Sequence, residues 1–96
     1  MYYRLTRAAL QPGTYDQAKE TMESTRSKFG EIGGLISSRL VRISENELMG
    51  IAVYESQELL EASQTKFNEI MSSTGPYLAG PPSISHGEQV MAYDAE

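Results

Sequence analysis

The chain predicts an α+β fold of the ferredoxin-like type: βαββαβ, with a four-stranded antiparallel sheet and two helices on one face. Three observations carry that expectation. Strand-like sequence brackets a helical pattern twice, so the elements read β-α-β and then β-α-β. Two helical segments echo each other, Lys28-Phe29-Gly30-Glu31-Ile32 in the first and Lys66-Phe67-Asn68-Glu69-Ile70 in the second. The third predicted strand is apolar on both parities, which asks for cover on both faces of the sheet.

Tyr2 to Leu10 alternates loosely and is rich in β-favouring residues, which predicts strand one. Gln11-Pro12-Gly13 is a turn. Thr14 and Gln17 have capping-box spacing, so a helix is expected from about Tyr15 to Phe29. Tyr15, Ala18, Met22, Phe29 and Ile32 form its apolar stripe. Gly30, Gly33 and Gly34 would stop it through left-handed conformations.

Leu35 to Ser44 is predicted strand two, with Leu35, Ser37, Arg39, Val41 and Ile43 on one parity. Ser44-Glu45-Asn46-Glu47 is the hairpin turn, Asn46 being tolerant of positive φ. Strand three runs from Leu48 to Glu55 and holds Leu48, Met49, Ile51, Ala52 and Val53. Helices shield only one side of such a sheet. A second copy of the same sheet is the simplest cover for the other, so a homodimer joined through sheet faces is expected.

Ser56 is a natural N-cap for a helix over Gln57–Thr74, whose stripe is Leu59, Leu60, Ser63, Phe67, Ile70 and Met71. Gly75-Pro76 ends it, and the proline-rich Tyr77–Pro82 stretch is a loop. Ser83 to Tyr93 is predicted strand four, with a bulge or kink at Gly87. Residues 1–96 are expected to form one domain.

Composition narrows the function classes. The net charge is −5, and lysine and arginine occur singly. A nucleic-acid binder clusters positive charge to displace counterions from phosphates, and an anionic membrane surface selects the same feature, so neither partner is expected. The opening Met1–Arg7 stretch carries two arginines where a signal peptide needs an apolar run, and no segment reaches membrane-spanning length. A cytoplasmic location is the default expectation. One histidine and no cysteine leave almost nothing for a zinc site.

The whole chain resembles the dimeric α/β-barrel proteins, and within them the antibiotic-biosynthesis-monooxygenase-like domains. The residues that carry this are the strand-to-helix turn Gln11-Pro12-Gly13-Thr14, the glycine-led strand Gly34-Leu35-Ile36-Ser37-Ser38-Arg39-Leu40, the strand end Val53-Tyr54-Glu55-Ser56-Gln57-Glu58, and Gly80-Pro81-Pro82 with Gly87-Glu88-Gln89-Val90. The resemblance implies two sheets stacked into a barrel with helices outside, and a cleft between sheet and helices in each subunit. It is specific for fold, and fold alone does not choose among cofactor-independent oxygenases, haem-degrading oxygenases, isomerases and domains without activity.

The haem-degrading relatives use a histidine in the second helix and a tryptophan. No histidine lies between Ser56 and Thr74 and the chain has no tryptophan, so haem is not expected as a cofactor, nor any other. Tyr54 takes the aromatic position at the end of strand three, where its hydroxyl would bond a phenolic or quinone substrate. The alternative is that Tyr54 packs the sheet edge with its hydroxyl in water. His86 is the sole imidazole, so any imidazole acid–base step would fall to it. The commoner role of such a residue is a partly exposed strand position bonded to backbone.

Arg4, Arg39 and Arg42 lie in strands, where an inward arginine holds a carboxylate or enolate. Arg39, flanked in parity by Ser37 and Val41, is the ligand-binding candidate among them; cross-strand pairing with Glu47, Glu55 or Glu88 is the commoner outcome. Three readings stay open: a small monooxygenase-like enzyme acting on a compact aromatic or carbonyl compound, a ligand-binding dimer, and a structural dimer.

Overall fold

The computed structural model describes residues 1–96. Strand β1 (Tyr2–Ala9) leads to helices α1 (Tyr15–Ser24) and α2 (Arg26–Phe29), then to the hairpin β2 (Leu35–Ser44) and β3 (Glu47–Tyr54). Helices α3 (Gln57–Ala62) and α4 (Gln64–Thr74), a 3-10 turn at Gly75–Tyr77 and strand β4 (Ser83–Glu88) complete the chain. The sheet order is β2-β3-β1-β4, with every neighbour antiparallel. This is the ferredoxin-like arrangement that the order of elements predicts.

Register decides what each residue faces. Tyr2, Arg4, Thr6 and Ala8 of β1 pair with Tyr54, Ala52, Gly50 and Leu48 of β3, and directly opposed residues share a face. That even-numbered face meets the helices. Tyr54, Leu60, Ile32 and Ile70 form one buried cluster on it, and Leu48, Leu10 and Ala18 form another. The odd-numbered face carries Leu5, Met49, Ile51 and Val53 and meets no helix. Strand three is thus apolar on both sides as its sequence suggests, with one side covered within the chain.

Each predicted helix is broken in two. Thr25 separates α1 from α2, and its hydroxyl donates to the carbonyl oxygen of Met22 at 2.7 Å. Ser63 separates α3 from α4 and donates to the Leu60 carbonyl at 2.6 Å. A buried hydroxyl that bonds back three residues competes with the helical ladder and bends it. The hydrophobic stripe runs through both breaks, which is why periodicity alone does not show them.

The caps divide. Ser56 accepts a hydrogen bond from the Leu59 N–H at 3.2 Å, as its position predicts. Thr14 does not cap α1; its hydroxyl donates backwards to the Gln11 carbonyl at 2.7 Å, so the capping-box expectation fails. Of the three glycines expected to be left-handed after the first helix, Gly34 alone is, with φ at +81°. Asn46 turns without positive φ.

The bulge expected at Gly87 is absent, since β4 pairs with β1 in unbroken register through Tyr3 opposite Gly87. Irregularities lie instead in β2, between Leu35 and Ser37 and between Arg42 and Ser44. Strand β2 is an edge strand with one partner, so a residue can loop out without breaking a second ladder. The shift matters: Leu35 stands opposite Tyr54 on the helix face, while Val41 stands opposite Met49 on the uncovered face, so they do not share a side. Strand β4 ends at Glu88 rather than Tyr93, because its partner β1 begins at Tyr2; beyond it the Gln89 N–H still donates to the Met1 carbonyl at 2.9 Å.

Candidate functional site

The helix face of the sheet is not filled. A cavity of about 710 Å³ lies between α1, α2, α4 and the strands β2, β3 and β1. Small-molecule sites commonly enclose about 300–1,000 Å³. Its walls are mostly apolar, with Met22, Phe29, Leu40, Leu48, Phe67 and Ile70 among them. The edge strand β2 forms its open side, where Ile36 and Leu40 keep 45% and 52% of their surface exposed.

Arg4 is the most unusual residue on this wall. It sits mid-strand on the helix face and is only 1% exposed. Its Nη2 donates to the Leu60 carbonyl at 3.3 Å, to Ser63 Oγ at 3.5 Å and to Gln64 Oε1 at 3.1 Å. These donations tie β1 to the break between α3 and α4. The guanidinium carbon lies 3.8 Å from the Phe67 ring centre and 5.5 Å from that of Tyr54. Nε and Nη1 are buried with no hydrogen-bond partner.

No carboxylate neutralises Arg4; the salt bridges of the chain are made by Arg7, Arg26 and Lys66. Burial pushes the pKa of Arg4 below its ordinary value, with Tyr54 opposing the shift. A desolvated cation on an aromatic face recovers about 2 kcal/mol. Taking an unpaired ion out of water costs more than that.

Charge is distributed unevenly around the cavity. Arg4, Lys19, Arg26 and Arg42 line its helix side, four of the eight basic residues of the chain. Glu23 is the one lining carboxylate out of thirteen acidic residues, and it pairs with Arg26 at 3.5 Å. A net-acidic protein has turned a positive wall toward its cavity. At the mouth, the Arg42 guanidinium lies 3.6 Å from the Tyr15 ring centre, which fastens β2 to the start of α1.

The sequence-predicted residues separate. Tyr54 is 1% exposed, lines the cavity and shares a hydrogen bond of 3.1 Å with Ser63 Oγ. Its hydroxyl is therefore inside, not at a wet sheet edge. Arg39 is among the residues bordering the cavity, but register sets it opposite Ile51, on the other face from Tyr54. Its own hydrogen bond goes to the adjacent Ser38 carbonyl at 3.4 Å. His86 stands opposite Arg4 on the edge strand β4, is exposed, and does not line the cavity.

The cross-strand ion pair forms with a different arginine from those singled out: Arg7 Nε donates to Glu47 Oε2 at 2.9 Å, and that bond holds the Glu47 carboxyl below its usual range. Arg4 is one of three strand arginines, with Arg39 and Arg42, that the sequence offers as inward candidates. Its parity with Thr6 and Ala8 against Tyr3 and Leu5 does not reveal which side is covered, so nothing in the sequence ranked it above Arg39. No group of three or more histidine, aspartate or glutamate side chains is placed to hold a metal ion.

No protein-family model matches the sequence, and no curated protein matches it significantly. Solved structures do match. A candidate antibiotic biosynthesis monooxygenase from Nitrosomonas europaea superposes with a TM-score of 0.81 at 10% identity, over 95% of this chain and 100% of that one. One from Bordetella bronchiseptica gives 0.79 at 20% identity, over 94% and 97%. SnoaB, a cofactor-independent oxygenase from Streptomyces nogalater, gives 0.80 at 13% identity, over 95% and 94%. The chain has the fold of the antibiotic biosynthesis monooxygenase-like proteins along nearly its whole length, as the sequence resemblance implies. No helix is long and apolar enough to cross a membrane.

Proposed function

We propose that the protein is a small monooxygenase-like enzyme that works without a cofactor, holding a compact aromatic or carbonyl compound in the cavity between sheet and helices. The observation that carries this is the cavity itself, which is mostly apolar, of ligand size, and bordered by the buried Tyr54, in a fold shared with a cofactor-independent oxygenase. In this reading Tyr54, whose hydroxyl Ser63 holds in place, orients a phenolic or carbonyl oxygen. The apolar walls limit bulk water while dioxygen reacts with the bound, electron-rich ring: one oxygen atom forms a new C–O bond, the other leaves as water, and the ring, the sole reductant, is oxidised to a quinone.

The test is oxygen uptake with a panel of phenols and quinols, and mass spectrometry of products formed under ¹⁸O₂. The expected result is one ¹⁸O atom per product molecule, above the uncatalysed rate and reduced in Tyr54→Phe. Binding without uptake across the panel would refute catalysis. It would favour a ligand-holding role, the second reading, which the position of His86 outside the cavity supports: the one lining carboxylate is Glu23, and no imidazole is there to move a proton.

The assembly is proposed to be a two-fold dimer joined through the uncovered sheet face. Leu5 and Val41 keep 39% and 44% of their surface exposed there, beside Met49, Ile51 and Val53. Such a face is what two stacked sheets would bury, at about 25 cal/mol per Å² of apolar area before the cost of association.

A further inference from the structure

We infer that the cavity selects a planar organic anion, and that Arg4 is the residue that reads its charge. The inference rests on the ligand-binding reading of the cavity but not on oxygen chemistry. Two independent observations support it. First, Arg4 lines the cavity at 1% exposure with Nε and Nη1 buried and unpartnered, and no carboxylate of the chain answers its charge. Second, the helix-side wall is basic, with Arg4, Lys19, Arg26 and Arg42 against Glu23, in a chain of net charge −5.

A guanidinium presents five N–H donors, all in its plane. Phe67 and Tyr54 lie within cation–π distance, and Nη2 is engaged by Leu60, Ser63 and Gln64. Stacking uses the face of the group and makes no hydrogen bond with its edges, where Nε and Nη1 are buried and unpartnered. The unused donors are Nε and Nη1, which a carboxylate or phenolate oxygen satisfies while neutralising the buried charge. Because those nitrogens are buried, entry asks the wall to give, while Phe67, its ring centre 3.8 Å from the guanidinium carbon, stays stacked on the face. The apolar walls then suit an aromatic ring, and Lys19 and Arg42 near the mouth favour approach of an anion over a neutral molecule.

The probes are 2-naphthoate and its neutral isostere 2-naphthamide, titrated calorimetrically under nitrogen at fixed ionic strength. The wild-type protein should prefer the acid by about tenfold or more, the discrimination expected of a hydrogen bond to a charged partner. Arg4→Met, which keeps volume and removes charge, should bring the two affinities together by weakening the acid and sparing the amide.

Should Arg4→Met not fold, the wild-type ratio still decides. So does the Arg4 Nε–H resonance, which should shift on adding naphthoate and stay put with the amide. Equal affinities in the wild type, or an acid preference that survives in Arg4→Met, would overturn the inference. Binding of the amide alone would overturn it while leaving the cavity as a ligand site. Binding of neither probe would overturn both.

Discussion

Replacing Gly34 by alanine tests how the first half of the chain is fitted to the second. Gly34 has φ at +81°, and a Cβ there would lie 2.5 Å from Leu59 Cδ1, 2.7 Å from Leu59 Cβ and 2.9 Å from Leu59 Cγ. The contact with Cβ cannot be relieved by a rotamer change; α3 itself has to shift. Left-handed backbone costs an L-residue about 1–2 kcal/mol, and overpacking adds about 1–3 kcal/mol. The sum, about 2–5 kcal/mol, is a large part of the stability of a small domain, which is about 5–15 kcal/mol. With about 4–8 °C of Tm lost per kcal/mol in a chain of this size, the variant should melt at least about 10 °C lower. Gly33→Ala is the internal control: nothing lies within 4 Å of its Cβ position and its φ is ordinary, so it should be neutral or gain about 0.4–1 kcal/mol. Urea titrations of both variants beside the parent give the answer. Gly34→Ala within about 1 kcal/mol of Gly33→Ala would show that the close approach of Gly34 to Leu59 does not hold α3 in place.

Two further outcomes follow from the sheet. Light scattering at micromolar concentration should give the mass of a dimer, and Ile51→Asp should give a monomer or an unfolded chain, since Ile51 stands on the uncovered face between Leu5 and Arg39; a well-folded wild-type monomer would refute the dimer. The Glu47 carboxyl is held below its usual pKa first by the hydrogen bond from Arg7, so its contribution to stability is present above the ordinary carboxylate range and fades as pH falls through the lowered value. In Arg7→Gln its ¹³C titration should move up toward the ordinary value, and an unchanged midpoint would show that Arg7 is not the cause.

The order of strands and helices was legible because hydrophobic period and turn residues are local signals. Ser56 as a cap, Gly34 as a left-handed stop and β3 as a doubly apolar strand all follow from residues within a few positions of one another. What failed turns on choices that the local pattern leaves open. Thr14 bonds back to Gln11 rather than forward into the helix. The breaks at Thr25 and Ser63 leave no trace in an amphipathic stripe, because serine and threonine are ordinary on helices. Arg39 and Arg4 are alike in sequence, both strand arginines with mixed neighbours. Only the register, which sets Arg4 opposite Ala52 on the helix face and Arg39 opposite Ile51 on the other, tells them apart. Tyr54 could be singled out through resemblance, but its burial against Leu60 and Ser63 is a property of how α3 closes over β3.

The internal echo has a structural meaning that its five residues understate. Thr25-Arg26-Ser27-Lys28-Phe29 and Ser63-Gln64-Thr65-Lys66-Phe67 match at four of five positions, two hydroxyls, lysine and phenylalanine, and in both the first hydroxyl residue is where the helix breaks. Ile32 and Ile70, three residues past each phenylalanine, belong to the same buried cluster. Lys66 spans the halves, 3.5 Å from Glu31 and 3.3 Å from Glu69, and these partners, Glu69 foremost, raise its pKa. The two halves have the same frame but different contents. In the first, the broken helix closes on itself through Met22. In the second, the Leu60 carbonyl accepts from the Ser63 N–H and hydroxyl, and Arg4 from β1 reaches that carbonyl, the Ser63 hydroxyl and Gln64 as well. The bend at Ser63 thus gathers three acceptors around one nitrogen of a buried arginine that no carboxylate answers, while its other two nitrogens stay unpartnered.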